Sequence, residues 1–233
     1  MKAAARANHI LKLISDFGQV SVVDLIEDLE VSPETIRRDL KKLDIAGELI
    51  RVHGGAVKKQ SEDIGTSFNK RAGHNICDKK SLVEQVINHI HEGSVIGLDA
   101  SSSSWLVAQS LPDIECTVIT NSLNNITALA NKTKVTVISL GGWYSEKYKA
   151  FYGRITQKTL SELSLDYCII SCEGVDEMNG VWDSNEYNYE IKKTLISVAR
   201  KSILMADKNK YNKKSLVKIC NLEEIDIVIT NIK

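Results

Sequence analysis

No apolar run of about 18 residues interrupts this 233-residue chain, so a membrane-spanning helix is not expected. The N-terminus, Met1-Lys2-Ala3-Ala4-Ala5-Arg6, lacks the apolar core of a secretory signal, which leaves the cytoplasm as the expected compartment. Neither charge sign is in excess: 30 Lys and Arg balance 30 Asp and Glu, so only local charge can argue for nucleic acid. Cysteine is sparse. Cys77, Cys116, Cys168, Cys172 and Cys220 are odd in number and scattered, a poor disulfide framework with no Cys-x-x-Cys pair. Cys168 and Cys172 lie in an apolar stretch and read as small buried hydrophobes. His89 and His91 read as solvated surface at a helix end. Neither a metal nor a cofactor is expected, and repeats and low-complexity tracts are absent.

The pattern that is present divides the chain in two. A first helix is expected over Lys2 to Phe17, with Ile10, Leu13, Ile14 and Phe17 on one face and Gly18 as its stop. Ser21 caps a short helix, Val22 to Glu30, with Asp24 at the capping-box position. Ser32 caps a third, Pro33 is its favoured first residue, and Gly47 ends it. Two short helices so tightly joined read as a helix-turn-helix. Two strand-like runs then flank Gly54-Gly55 and suit a small hairpin, which completes a winged helix. Lys58 to about Gly73 is polar and reads as a linker. Beyond it, strands expected at 95–98, 117–120, 135–140, 167–171, 203–206 and 227–230 alternate with helices near 82–91, 102–111, 123–130, 156–163 and 189–199. The fold class is α/β: an N-terminal winged helix-turn-helix (1–57), a linker (58–73) and an α/β domain with a largely parallel sheet (74–233).

On a wheel of about 100° per residue, Ile36, Leu40 and Leu43 of the third helix share a core-facing side. Glu34, Thr35, Arg38, Lys41 and Lys42 fall opposite, with Arg37 at their flank. Residues 34–60 carry seven bases against four acids, a local excess in a neutral chain. Operator DNA is therefore the expected partner of this segment. Side chains near the start of a recognition helix reach base edges, so Arg37 and Arg38 suit guanine, and Ser32 and Thr35 suit a base edge or phosphate. Lys41, Lys42, Arg51, Lys58 and Lys59 suit phosphates, and His53 with the Gly-Gly brings the wing toward backbone or minor groove.

In the second part, the strand ending before Asp99 leads into Ala100-Ser101-Ser102-Ser103-Ser104 and a helix. Four hydroxyls and the free N–H groups of a helix start make an anion site. Other strand ends carry Asn121, Gly141 and Gly142, Asp176 and Lys210, and in an open α/β sheet ligands bind outside those ends. Asp99 and Asp176, acceptor-only when ionised, suit sugar hydroxyls. Trp143 and Trp182 are candidates to pack on a ligand.

The run Val31-Ser32-Pro33-Glu34-Thr35-Ile36-Arg37-Arg38-Asp39-Leu40, with Leu43, Gly47 and Arg51-Val52-His53-Gly54-Gly55-Ala56, resembles the signature of DeoR-type repressors of sugar metabolism. The likeness continues through Phe68-x-x-Arg71, Asn75 and Lys79. It implies a repressor of a carbohydrate operon, a homodimer or homotetramer, with a phosphorylated sugar as effector. Segments 99–104 are similar to the Asp-Ser-Gly-Ser-Thr-Thr loop of such sensors, with Ser101 at the glycine position. Glu173-Gly174-Val175-Asp176-Glu177, Glu190-Ile191-Lys192 and Ala206-Asp207-Lys208-Asn209-Lys210 resemble segments of ribose-5-phosphate isomerase and its relatives. The isomerase's catalytic lysine has no counterpart in Val181-Trp182-Asp183-Ser184-Asn185. Glu190 alone, a base without an electrophilic partner, predicts binding without chemistry. No catalytic residue is therefore expected; a sugar-phosphate isomerase or deaminase carrying a DNA-binding appendage is the alternative.

Overall fold

Ile10 and Ile14, one turn apart, are both buried, and they face Leu25, Leu29, Ile36, Leu40, Leu49 and Ala56 in the core of the N-terminal unit. The computed structural model describes residues 3–17, 19–52, 54–58 and 63–232. It forms two compact units, residues 1–61 and 62–233. The first holds α1 (Ala3–Phe17), β1 (Gln19–Ser21), α2 (Val22–Leu29), α3 (Pro33–Ile45), β2 (Leu49–Val52) and β3 (Gly55–Lys58). The caps are those the sequence predicts. Ser21 accepts from the Asp24 N–H and Ser32 from the Thr35 N–H. Gly47, at φ 76°, ends α3 in the left-handed conformation that favours glycine. Phe17 differs from expectation. It is the last residue of α1 and stays 54% exposed, beyond the layer that buries Ile14. Gly18 lies outside the described residues.

The wing has three strands rather than two, in the antiparallel order β1-β3-β2. The two glycines have separate causes. Gly54 turns the hairpin at φ 81°, while a Cβ on Gly55 would collide with the Val20 carbonyl of β1.

The second unit runs α4 (Phe68–Ala72), α5 (Ile76–Ile87), β4 (Val95–Leu98), α6 (Ser102–Ser110), β5 (Cys116–Thr120), α7 (Leu123–Leu129), β6 (Val135–Ser139), β7 (Trp143–Ser145), β8 (Ala150–Tyr152) and α8 (Arg154–Ser161). It continues with β9 (Leu165–Ser171), β10 (Gly174–Asp176), β11 (Gly180–Asp183), α9 (Glu186–Val198), β12 (Ala199–Ala206), β13 (Val217–Cys220) and β14 (Ile227–Thr230). Six strands pair in parallel in the order β14-β12-β9-β4-β5-β6. Alternate residues bury on opposite faces. Ile169, Ile203 and Met205 pack with α5 and α6, whereas Cys168, Ile170 and Leu204 pack with α8 and α9. Strand order runs outward in both directions from the β4–β9 pair, which places a topological switch point there.

Several elements differ from the sequence reading. The stretch expected to be irregular, 58–73, contributes Lys58 to β3 and Phe68–Ala72 to α4, because Phe68 is buried against Trp105. Helix α5 begins six residues before the expected start at Leu82 and ends before His89. The hairpin β7–β8 and the small sheet β10-β11-β13 are additions. All five cysteines are unpaired; Cys77 is exposed and the other four are buried. Burial pushes the Cys168 and Cys172 thiols up to about 12. No helix among the described residues is long and apolar enough to cross a membrane.

Candidate functional site

Two surfaces carry residues singled out in the sequence. On α3, Ile36 and Leu40 are buried and Leu43 packs beside them, which turns Arg37, Arg38, Lys41 and Lys42 outward. Arg37 lies 3.5 Å from Glu34, an exposed pair one turn apart. The Ser32 and Thr35 hydroxyls lie 3.0 Å apart in the cap. Arg51 is exposed on β2, and its backbone N–H donates to Asp44. Asp39 is the surprise. Counted among the acids of this segment, it is 5% exposed and accepts from Arg6 of α1 at 2.5 Å. One of the four acids thus faces inward with its own cation, and the outward face is more basic than the sequence count. His53, Lys59 and the side chain of Lys58 lie outside the described residues.

The second site lies at the switch point. Asp99 follows β4, is 1% exposed, and receives N–H bonds from Ser101 and Ser171, a hydroxyl bond from Ser104 at 2.5 Å, and Lys192 Nζ at 3.3 Å. Burial pushes this carboxyl up, but Lys192 and the bonds from Ser104, Ser101 and Ser171 outweigh it and hold it below its ordinary range. Lys192 of α9, itself buried, also pairs with Asp183 of β11. Burial lowers its pKa, but Asp183 and Asp99 overcome that and hold it charged. These contacts occupy Asp99, so it holds the loop and Lys192 together instead of offering lone pairs to sugar hydroxyls as the sequence suggested.

Around this triad is a cleft lined by Arg71, Asp99, Ala100, Ser101, Asn121, Asn188, Ile191 and Lys192. Of the side chains expected there, Asp99, Ser101 and Asn121 come together. Asn121 donates to the Phe151 carbonyl, and its Oδ1 is buried without a hydrogen-bond partner. Ser101 caps α6 by accepting from the Ser104 N–H. The next two N–H groups, of Ser102 and Ser103, have no acceptor within the helix. The hydroxyl of Ser102 accepts from Lys79, Ser104 is committed to Asp99, and Ser103 is buried beside them.

The remaining candidates do not line the cleft. Asp176 closes a turn, accepting from the N–H groups of Met178 and Asn179 and the Asn179 amide. Gly141 is exposed and its carbonyl accepts from Thr156, while Gly142 sits at φ 147° where Thr156 and Tyr152 leave no room for a Cβ. Lys210 is 3.5 Å from Glu173. Glu190 precedes the lining residues Ile191 and Lys192 on α9 without lining the cleft, and has contacts of its own. Trp143 packs at a tilt on Tyr152 and edge-to-face with Tyr187.

Sequence reasoning missed the cations. Arg71, on α4, lies with its guanidinium over Phe68 and Tyr148, and its Nε and Nη2 are buried with no hydrogen-bond partner. Lys79, 6% exposed, donates to the Arg71 carbonyl at 2.5 Å and to Ser102 at 3.0 Å. Burial, then the charge of Lys210, push it down to about 8; Asp207 opposes them and Arg71 adds to the lowering. The only sequence signal for either was the resemblance through Phe68-x-x-Arg71 and Lys79.

Residues 6–62 match the DeoR-like helix-turn-helix domain, and residues 74–232 match the DeoR C terminal sensor domain. The chain is 40% identical to the L-fucose operon activator of Haemophilus influenzae, over 97% of this chain and 91% of that one. It is 28% identical to the glycerol-3-phosphate regulon repressor of Escherichia coli, over 99% and 92% respectively. Ribose 5-phosphate isomerase A of Methanocaldococcus jannaschii has a TM-score of 0.43 and 14% identity, covering 57% of this chain and 53% of that one. With both its halves matched and its relatives named as regulators along nearly their whole length, the chain belongs to the DeoR family of transcriptional regulators.

Proposed function

We propose that this regulator binds operator DNA through α3 and the wing, and that a phosphorylated sugar in the cleft beside Asp99 controls that binding. One observation carries the effector reading. The buried guanidinium nitrogens of Arg71 lack partners in the cleft that Ser101 lines at the start of α6, where the first N–H groups, of Ser102 and Ser103, have no acceptor within the helix. A phosphate supplies acceptors to all of them, and the helix dipole favours the anion by ~0.3–1 kcal/mol. Asn121 and Asn188 are neutral amides suited to sugar hydroxyls.

The target is a carbohydrate-utilisation operon, a reading supported by the names of the two relatives. Those names carry opposite signs, activator and repressor, so the expectation of repression has mixed support. The same DNA grip serves either outcome, depending on where the operator lies. A homodimer or homotetramer in the cytoplasm, gripping paired half-sites, fits a small recognition unit of this kind. The isomerase-like alternative gains nothing from the site. Asp183 is committed to Lys192, and Asn185 caps α9. A thermal-shift screen of phosphorylated sugars against the unphosphorylated sugars tests the reading. A phosphorylated sugar should raise Tm where its parent does not. Equal shifts, or turnover of the ligand, would overturn it.

A further inference from the structure

Just beyond the DNA-binding unit, Asp63 is fastened to Tyr148, which packs behind the cleft residue Arg71. Asp63 stands two residues beyond the end of that unit. Its Oδ1 accepts from the Tyr148 hydroxyl at 2.5 Å, and Lys147 Nζ lies 2.9 Å from its Oδ2. The Phe68 N–H donates to the Lys147 carbonyl, and a Cβ on Gly65 would collide with the Tyr148 hydroxyl and Ser184. Tyr148 is 4% exposed, and its hydroxyl holds a carboxylate that is exposed at the surface.

The same tyrosine packs against Arg71, which lines the cleft. Arg71 lies over its ring at 5.5 Å, and its edge meets Tyr152, whose hydroxyl donates to the cleft residue Asn188 at 2.6 Å. Arg71 therefore stands between two demands. Its guanidinium rests on Tyr148, and its unpartnered nitrogens need an acceptor that an anion in the cleft supplies. Its backbone is simultaneously tied by Lys79 to Ser102 at the start of α6.

On the reading of the cleft as an anion site, we infer that the Asp63–Tyr148 hydrogen bond is a latch that reports cleft occupancy to the DNA-binding unit. Anion binding draws the Arg71 guanidinium off the Tyr148 ring, the phenol shifts, and its hold on Asp63 is released. The chain entering the DNA-binding unit then loses its anchor. Tyr148 and Asp63 are positioning residues and touch neither ligand nor DNA.

The test uses the full chain, a duplex it enriches from random DNA, and inorganic phosphate as the probe against chloride at matched ionic strength. Tyr148→Phe removes the donor hydroxyl and Asp63→Leu the acceptor, each with little change of volume, and melting of each variant checks that it folds. Each should shift phosphate-free duplex affinity by about fivefold or more, the lower range of coupling between sites, and the double variant should match the singles. Parent-like affinity in both singles would overturn the latch. Melting in phosphate judges the cleft separately. If phosphate stabilises the parent while the variants bind DNA like the parent, the cleft stands and the latch fails. If phosphate leaves the parent's Tm unchanged while the variants shift, the Asp63–Tyr148 bond governs duplex affinity but the anion reading fails, and with it the report of cleft occupancy.

Discussion

Lys192 Nζ lies 3.3 Å from Asp99 Oδ2, which ties α9 to the loop after β4 beneath the cleft. The pair is buried and shares Lys192 with Asp183, so one cation serves two carboxylates. Such an arrangement is costly to break, because removing one partner strands the others without water.

Lys192→Met should therefore destabilise the protein by ~3–5 kcal/mol, read by urea denaturation. Asp99 gives it a pH dependence. Asp99 is held below its ordinary range, so its contribution is present at neutral pH and lost as acid titrates through the lowered value. The stability difference between parent and variant should shrink toward acid. A cost under about 1 kcal/mol, as for an exposed pair, would contradict the assignment.

The DNA face predicts two separable losses. Arg38→Ala should cost ~1–3 kcal/mol and relax sequence preference. Lys42→Ala should weaken all duplexes alike and make the dependence of log affinity on log salt shallower by about one unit. Titrations at several salt concentrations read both, and parent-like behaviour in both variants would move the reading element away from α3.

Lys79 provides a pH signature. Its folded value of about 8 lies under its ordinary 10.5, so between these the unfolded chain binds the extra proton and stability rises with pH. Lys79→Met should flatten that rise. A phosphate dianion nearby favours the ammonium, so ligand binding near pH 8.5 should take up protons. Calorimetry in two buffers of different ionisation enthalpy detects the uptake; identical heats would contradict a phosphate close to Lys79.

Much of this was legible in the sequence for local reasons. Ser21, Ser32 and Gly47 act within a few residues of themselves, so the caps and ends of α2 and α3 follow from residue type. The six parallel strands announce themselves by apolar runs. The three-residue strand β1 does not, because Gln19 to Ser21 is a strand only by pairing with Val57 to Gly55. The cleft shows the same division. Asp99, Ser101 and Asn121 follow strands and were found by that position, whereas Arg71 and Lys192 arrive from helices α4 and α9 by tertiary packing. Asp39 looks like any helix-surface acid until Arg6 of α1 meets it. Asp176, placed by analogy of position, is instead consumed by the turn to Asn179.

The most direct measurement of the central claim is fluorescence anisotropy of a selected duplex with the full chain, titrated with a panel of sugar phosphates and their unphosphorylated sugars. A phosphorylated sugar should change duplex affinity by about 5- to 150-fold, while its parent sugar leaves it unaltered. Arg71→Lys keeps the charge but loses the planar fork, and should raise the ligand concentration needed by about tenfold, equivalent to ~1.4 kcal/mol. Sugar and sugar phosphate acting alike, or an Arg71→Lys response indistinguishable from the parent's, would contradict the account.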